Sequence, residues 1–318
     1  MKDKQNMLGS IELLGAQLKE GLADFSKVNL PESFKKINKI AFFGMGGSAL
    51  GADLVRNIFA SELKVPLIII RDYSIPAWVD KNTLAVLSSY SGGTEETLTV
   101  AKTIHKRTKK VFFIATGGKL RYFSKFGFII NPHFNPCGQP RMGLGYALAA
   151  CLGLFSSLNL IKITPAKFRN YKKEAFKVAK SLKAKIPVIV ASEHLSGNAH
   201  VINNQINENA KSFASYAILP EMNHHLIEGL RFSSKNLFFI FLFSKKYFKR
   251  NQKRYKATEQ VLRKLKIPFA QIDFTEKTKL AEALSVLSFG SYLGYFLALN
   301  YKIDPSPIPW VTYLKSQL

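Results

Sequence analysis

Five short apolar runs are spaced through the first half of the chain, at residues 39–43, 65–70, 84–88, 111–115 and 126–130. Each is short, bounded and almost free of polar residues, as a strand buried on both faces of a sheet should be. Helix-length segments at 49–60 and 94–107, and a shorter one at 120–123, lie between them. Strand and helix signals in alternation imply a parallel sheet covered on both faces, a doubly wound α/β domain.

The second half repeats the plan. Beyond Pro140 come a helix-length stretch at 142–158 and a strongly basic one at 165–185, able to bridge to a new unit. Strand signals follow at 188–191, 237–243 and 269–272, with helix signals at 197–211, 251–266 and 277–301. A length of 318 residues suits two domains of about 150 residues each. We expect a first domain over residues 1–160, with a leading amphipathic helix, and a second over 161–318, with a linker helix and a C-terminal helix. The leading segment lacks the layout of a secretion signal. The most apolar stretch, 283–299, is interrupted by Ser285, Ser288, Gly290, Ser291 and Gly294 and reads as a packed interior helix, so no membrane association is expected.

Cysteine and charge narrow the setting. Cys137 and Cys151 are the only cysteines, too few for a disulfide framework or a paired metal motif, which points to the cytoplasm. The formal net charge of +25 creates a field that attracts phosphates, nucleic acid or anionic surfaces. The basic residues are scattered. The local groups at His105, Lys106, Arg107, Lys109 and Lys110 and at 245–254 read as solvated helix ends, and no nucleic-acid partner is expected.

Two loops carry the chemistry. Gly44-Met45-Gly46-Gly47-Ser48-Ala49-Leu50-Gly51 lies directly between a strand and a helix, where glycines let backbone amides approach an anion at a helix N-terminus. The spacing is GxGG rather than GxGxxG, and the second strand ends at Ile70-Arg71 without an acidic residue, so this is not a dinucleotide fingerprint. Ser88-Ser89-Tyr90-Ser91-Gly92-Gly93-Thr94-Glu95-Glu96-Thr97 again joins strand to helix, and its hydroxyls and amides suit a phosphate nest. Taken alone, the same string also suits helix capping by Thr94.

Together the loops resemble those of the sugar isomerase domain (SIS) proteins, and more closely those of the bifunctional phosphoglucose/phosphomannose isomerases of archaea and some bacteria, over nearly the whole chain. The resemblance implies tandem SIS domains and places Gly47, Ser48, Ser89, Ser91 and Thr94 at the sugar phosphate. Gln139-Pro140-Arg141 looks like the family's proline-arginine element, with Arg141 stabilising an enediolate. Asn203 to Lys211 resembles the segment carrying the catalytic base, here Glu208. Pro220-Glu221-Met222-Asn223-His224 resembles the turn whose histidine assists ring opening from the other subunit. The match departs after His224, where His225 and Leu226 replace the family's Asn-Glu. Asp304-Pro305-Ser306-Pro307 leads to a C-terminal helix whose Lys315 takes the place of the family's lysine near the ring oxygen.

The implied reaction is a reversible aldose–ketose isomerisation of glucose 6-phosphate, and of mannose 6-phosphate, with fructose 6-phosphate, by an obligate homodimer and without cofactor. Zinc chemistry is not expected, because the histidines are dispersed and adjacent His224 and His225 cannot easily share one face. Two other readings stand beside it. One is an isomerase of another phosphosugar. The other is a non-catalytic phosphosugar sensor, although the stretch before residue 39 leaves little room for a DNA-reading bundle.

Overall fold

The computed structural model describes residues 3–232 and 236–318. The chain forms two compact units: Glu12–Pro165, and Ala166–Leu318 with the first eleven residues. The leading helix is broken at Leu13 into α1 (Met7–Glu12) and α2 (Leu14–Phe25).

In the Glu12–Pro165 unit the strands are β1 (Lys39–Gly44), β2 (Leu67–Ile70), β3 (Thr83–Ser88), β4 (Val111–Ala115) and β5 (Gly127–Ile129). They form one parallel sheet in the order β2-β1-β3-β4-β5. The period-2 side-chain geometry of a strand divides the sheet's apolar residues between two faces. Ala41, Phe43, Ala85, Leu87 and Phe113 pack with Val100, Ala101 and Ile104, which belong to α4 (Glu95–Thr103) and the 3-10 turn after it. On the other face Phe25 of α2 meets Phe112 and Phe128, with ring centroids 6.0 and 5.1 Å apart. There α2 packs on α5 (Leu144–Ser157), which also packs on α3 (Gly47–Ile58). Gly51 lets those two helices touch, since a Cβ there would overlap the Ala147 carbonyl.

The second unit contains α6 (Lys172–Ser181), β6 (Ile186–Ser192), α7 (Ser196–Ala210), β7 (Ser215–Leu219), β8 (Leu237–Ser244), α8 (Lys249–Lys264), β9 (Phe269–Phe274), α9 (Lys279–Asn300) and α10 (Pro309–Ser316). Its parallel sheet has the order β7-β6-β8-β9. Helices α6, α7 and α9 pack together, with Phe289 of α9 against Phe274 of the sheet. Tyr255 of α8 packs on Phe241 and Phe243. Both sheets are thus doubly wound. Helix α9 has the length and apolar content of a membrane span, but 94% of its most apolar window is buried inside the protein.

Two segments differ from the sequence expectation. Strand β7 is additional; its exposed edge residues Ser215 and Tyr216 break the apolar run that marks the other strands. The basic helix expected at 165–185 shortens to α6. Tertiary bonds hold the preceding chain extended, from the Arg169 amide to Ser285 Oγ (2.9 Å) and from Asn170 Nδ2 to Tyr292 Oη (3.2 Å).

A buried polar cluster closes the carboxyl end of the second sheet. Glu282 Oε2 accepts from His194 Nε2 (2.8 Å) and from Ser244 Oγ (2.7 Å), and Oε1 accepts from Lys246 Nζ (2.8 Å). Glu282 is fully buried, so removing its carboxylate leaves the buried His194 and Ser244 donors without an acceptor and takes the counter-charge from Lys246, which keeps the Glu276 carbonyl. Glu282→Leu is expected to lower unfolding stability by about 3 kcal/mol, read as a shift of the urea midpoint. An unchanged midpoint would mean that the cluster contributes nothing to the fold.

Candidate active site

In the first sheet the strand order reverses between β1 and β3, so the crevice outside their carboxyl ends is the place for a ligand. The two loops singled out in the sequence open there. Residues 45 and 46 link β1 to α3, and residues 89–94 link β3 to α4. Neither helix has a side-chain N-cap; at α3 the Ser48 and Ala49 amides donate to the Met45 and Gly46 carbonyls (3.0 and 3.2 Å), so it is the start of α4 that suits an anion. Thr94 occupies the N-cap position of α4, yet its hydroxyl pairs with Ser89 Oγ at 2.7 Å. The capping expectation is therefore met by position only, and the hydroxyl belongs to the loop.

Glycine makes the loop geometry possible. Gly92 and Gly118 have φ of 67° and 69°, a region costly for other residues. A Cβ on Gly92 would overlap the Gly117 carbonyl, and one on Gly118 would overlap the Ser91 carbonyl. The loop after β4 thus nests against the serine loop, sealed by bonds from the Thr116 amide to the Tyr90 carbonyl (2.8 Å) and from the Leu120 amide to the Gly92 carbonyl (2.9 Å). Ser91 Oγ accepts from the Gly93 amide at 3.3 Å.

A hydrogen-bond chain runs from this cradle to Arg141. The Tyr90 amide donates to Ser48 Oγ (2.9 Å), and Ser88 Oγ donates to the Ser48 carbonyl (2.8 Å). Asn135 Nδ2 donates to Tyr90 Oη (2.8 Å) and to the Gln139 carbonyl (3.0 Å). Gln139 Oε1 in turn accepts from Arg141 Nη1 at 2.8 Å. Arg141 is 2% exposed, and a Cβ on Gly47 would stand 3.3 Å from its amide nitrogen. Gly47, Ser48, Ser89, Ser91, Thr94 and the Pro140-Arg141 segment are therefore parts of one assembly. Burial pushes the Tyr90 phenol above its ordinary pKa, against the lowering effect of Asn135, so it remains a neutral phenol at physiological pH.

Three members were not anticipated. Tyr90 lies inside the serine motif but has no separate sequence signal, and Asn135 sits in an irregular segment. Gln17, on α2, is far away in sequence and fully buried. Its Nε2 donates to the carbonyls of Phe134 (2.9 Å) and Met142 (3.0 Å), and its Oε1 accepts from the Gly145 amide (3.1 Å). The segment bearing Arg141 is thereby fastened at both ends.

The remaining predicted residues belong to the second unit. Glu208 lies in the last turn of α7, half-buried. Just beyond it, Lys211 has left-handed φ of 50°, and its ammonium donates to the carbonyls of Asp304 and Pro305, each at 2.9 Å. The end of the Glu208 helix is thus tied to the turn that starts the C-terminal segment. Lys315 rides on α10, none of whose residues is buried. His224 ends a 3-10 turn, Glu221–His224, and is exposed. That turn is anchored by buried Met222 and by Asn223, whose Nδ2 donates to Thr258 Oγ1 at 2.9 Å. His225 sits 3.7 Å from the Glu221 carboxylate, and both side chains are exposed. Among the described residues no three His, Cys, Asp or Glu side chains are grouped to hold a metal ion.

Residues 171–318 match the profile of the bacterial phospho-glucose isomerase C-terminal SIS domain. A bifunctional phosphoglucose/phosphomannose isomerase of Caldicellulosiruptor bescii is 32% identical, the alignment covering 98% of each chain. One from Thermoplasma volcanium is 30% identical over 92% of this chain and 96% of its own. The solved C-terminal domain of glucosamine-fructose-6-phosphate aminotransferase from Francisella tularensis shares the fold, with a TM-score of 0.75 at 12% identity over 96% of this chain and 98% of its own.

Gln17→Leu keeps the volume at α2 but leaves two buried carbonyls and one amide without their partner, at about 1 to 3 kcal/mol for each group. The expected result is a loss of about 3 kcal/mol in urea unfolding, with faster amide exchange across residues 134–145. Unaltered exchange there would contradict the fastening role.

Proposed function

The chain belongs to the family of bifunctional phosphoglucose/phosphomannose isomerases, and from that premise we propose that it interconverts glucose 6-phosphate and mannose 6-phosphate with fructose 6-phosphate through an enediol. The observation that carries this reading is the two-loop cradle at the β1/β3 crevice, with buried Arg141 wired to it. The α4 start without a side-chain cap, the paired hydroxyls and the glycine backbone suit a phosphate dianion.

The roles follow from the chemistry. Gly47, Ser48, Ser89, Ser91 and Thr94 hold the phosphate. Moving a proton between C1 and C2 needs a carboxylate, and Glu208 is the base. The enediolate gains negative charge in the step, and the Arg141 guanidinium, already ordered by Gln139, stabilises it without reorganisation. His224 and Lys315 assist opening of the sugar ring, for which imidazole suits proton transfer near neutral pH. Rotation about C2–C3 of the enediolate gives either epimer on reprotonation. Exposure of His224 on an anchored turn supports its delivery to a second subunit, so the working form is a homodimer. No metal or cofactor is required by these steps. Cys137 and Cys151 are both free and buried, which supports a cytoplasmic setting.

The test is conversion of fructose 6-phosphate by the purified chain with chelator present, following both aldose products. Both should form, and Glu208→Gln should lower kcat by about 10²- to 10⁴-fold. Tight phosphosugar binding with no turnover by the unaltered protein would replace the isomerase with a sensor, and loss of turnover to chelator would reinstate a metal.

A further inference from the structure

We infer that a groove on the Glu12–Pro165 unit, beside the 3-10 turn Lys119–Phe123, binds single-stranded nucleic acid through unpaired cations and an exposed tyrosine platform. The groove, of about 490 Å³, is lined by His105, Lys109, Arg121, Tyr122, Lys125 and Phe126, among others. It gathers residues that the sequence spreads over two segments, the turn after α4 and the turn before β5.

Three observations converge on that partner. The first is charge. No Asp or Glu occurs between Glu96 and Glu174. None of Lys106, Arg107, Lys109, Arg121 and Lys125 forms an ion pair among the described residues. With no carboxylate in this stretch of chain, the field is left for an external polyanion.

The second is aromatic exposure. Tyr122 is 74% exposed and Phe126 36%, and large apolar rings beside uncompensated cations suit a ligand with both phosphates and flat faces. The Arg121 guanidinium lies 4.8 Å from the Tyr122 ring centroid and donates to Tyr122 Oη at 2.7 Å, forming a joined cationic and aromatic surface. The third is rigidity. His105 Nε2 is 2.6 Å from the Phe123 carbonyl, and Ser124 Oγ donates to the Val111 carbonyl at 2.7 Å. The groove's two walls are therefore fixed to each other before a ligand arrives, which limits the ordering cost on binding. A lipid surface would use the cations but has no base to stack, so the rings separate the two partners.

The experiment is fluorescence anisotropy of a labelled 20-nucleotide oligouridine titrated with the full chain at about 50 and 200 mM salt. Binding is expected to weaken with salt. The triple variant Lys109→Ser/Arg121→Ser/Lys125→Ser should bind at least about tenfold more weakly and flatten the log–log salt slope by about 2, at roughly 0.7 per lost phosphate contact. Tyr122→Ala, which leaves the charge intact, should weaken binding about 5- to 150-fold. None of these residues has a role in the proposed isomerisation, so sugar-phosphate turnover and far-UV circular dichroism should match the unaltered protein and certify the fold. A control triple, Lys249→Ser/Arg250→Ser/Lys253→Ser, removes equal charge elsewhere and should have little effect. The inference is overturned by any of three results: no binding at low salt, equal losses in both triples, or indifference to Tyr122→Ala with comparable binding to phosphatidylserine vesicles.

Discussion

The closeness of Gly92 to Gly117 and Gly118 sets the geometry on which the candidate site depends. Side chains at Gly92 and Gly118 would overlap carbonyl groups of the facing loop, so the loops after β3 and β4 meet backbone to backbone. That contact fixes where the residues between Ser89 and Thr94 stand, and their hydroxyls pair with each other rather than capping α4. From there the Tyr90 amide reaches Ser48 and the Tyr90 phenol reaches Asn135, which leads on to Gln139 and Arg141. The serine and glycine loops and a buried cation are thus joined by one connected network, in which each bond strengthens the ordering of the next.

The two sheets treat the equivalent place differently. Each reverses its strand order next to its first strand, between β1 and β3 in one and between β6 and β8 in the other. Ser88 ends β3 and Ser244 ends β8. In the first sheet the crevice is walled by glycine backbone and hydroxyls. In the second it is filled by the protein's own Glu282, neutralised by Lys246 and bonded to His194 and Ser244. A carboxylate supplied from within satisfies the donors that an external anion would otherwise meet.

Much of this was legible in the sequence. The five strands of the first sheet were marked by uninterrupted apolar runs, because a parallel strand covered on both sides has no polar face to show. Strand β7 escaped notice for the opposite reason, being a short edge strand with Ser215 and Tyr216 exposed. The glycine and serine loops were readable because backbone geometry restricts them to a few residue types. Gln17, Tyr90 and Asn135 were not, since a residue that orders another by a bond between distant segments, as Asn135 does with Tyr90 and Gln17 with Met142 and Gly145, leaves no local pattern. The cation groups at 105–110 looked like ordinary helix ends until folding set them beside Arg121, Tyr122 and Lys125.

The hydroxyl pair at the heart of the cradle offers the most direct test that it is the phosphate site. Hydrogen bonds to a charged group contribute about 1.5 to 3 kcal/mol each, so losing two should reduce affinity about a hundredfold or more. The measurement is kcat/KM for fructose 6-phosphate in the double variant Ser89→Ala/Thr94→Ala, with thermal unfolding recorded alongside. A fall of about a hundredfold in a protein that unfolds at the same temperature is the expected result. Unchanged kcat/KM in a stably folded variant would show that the phosphate is held elsewhere.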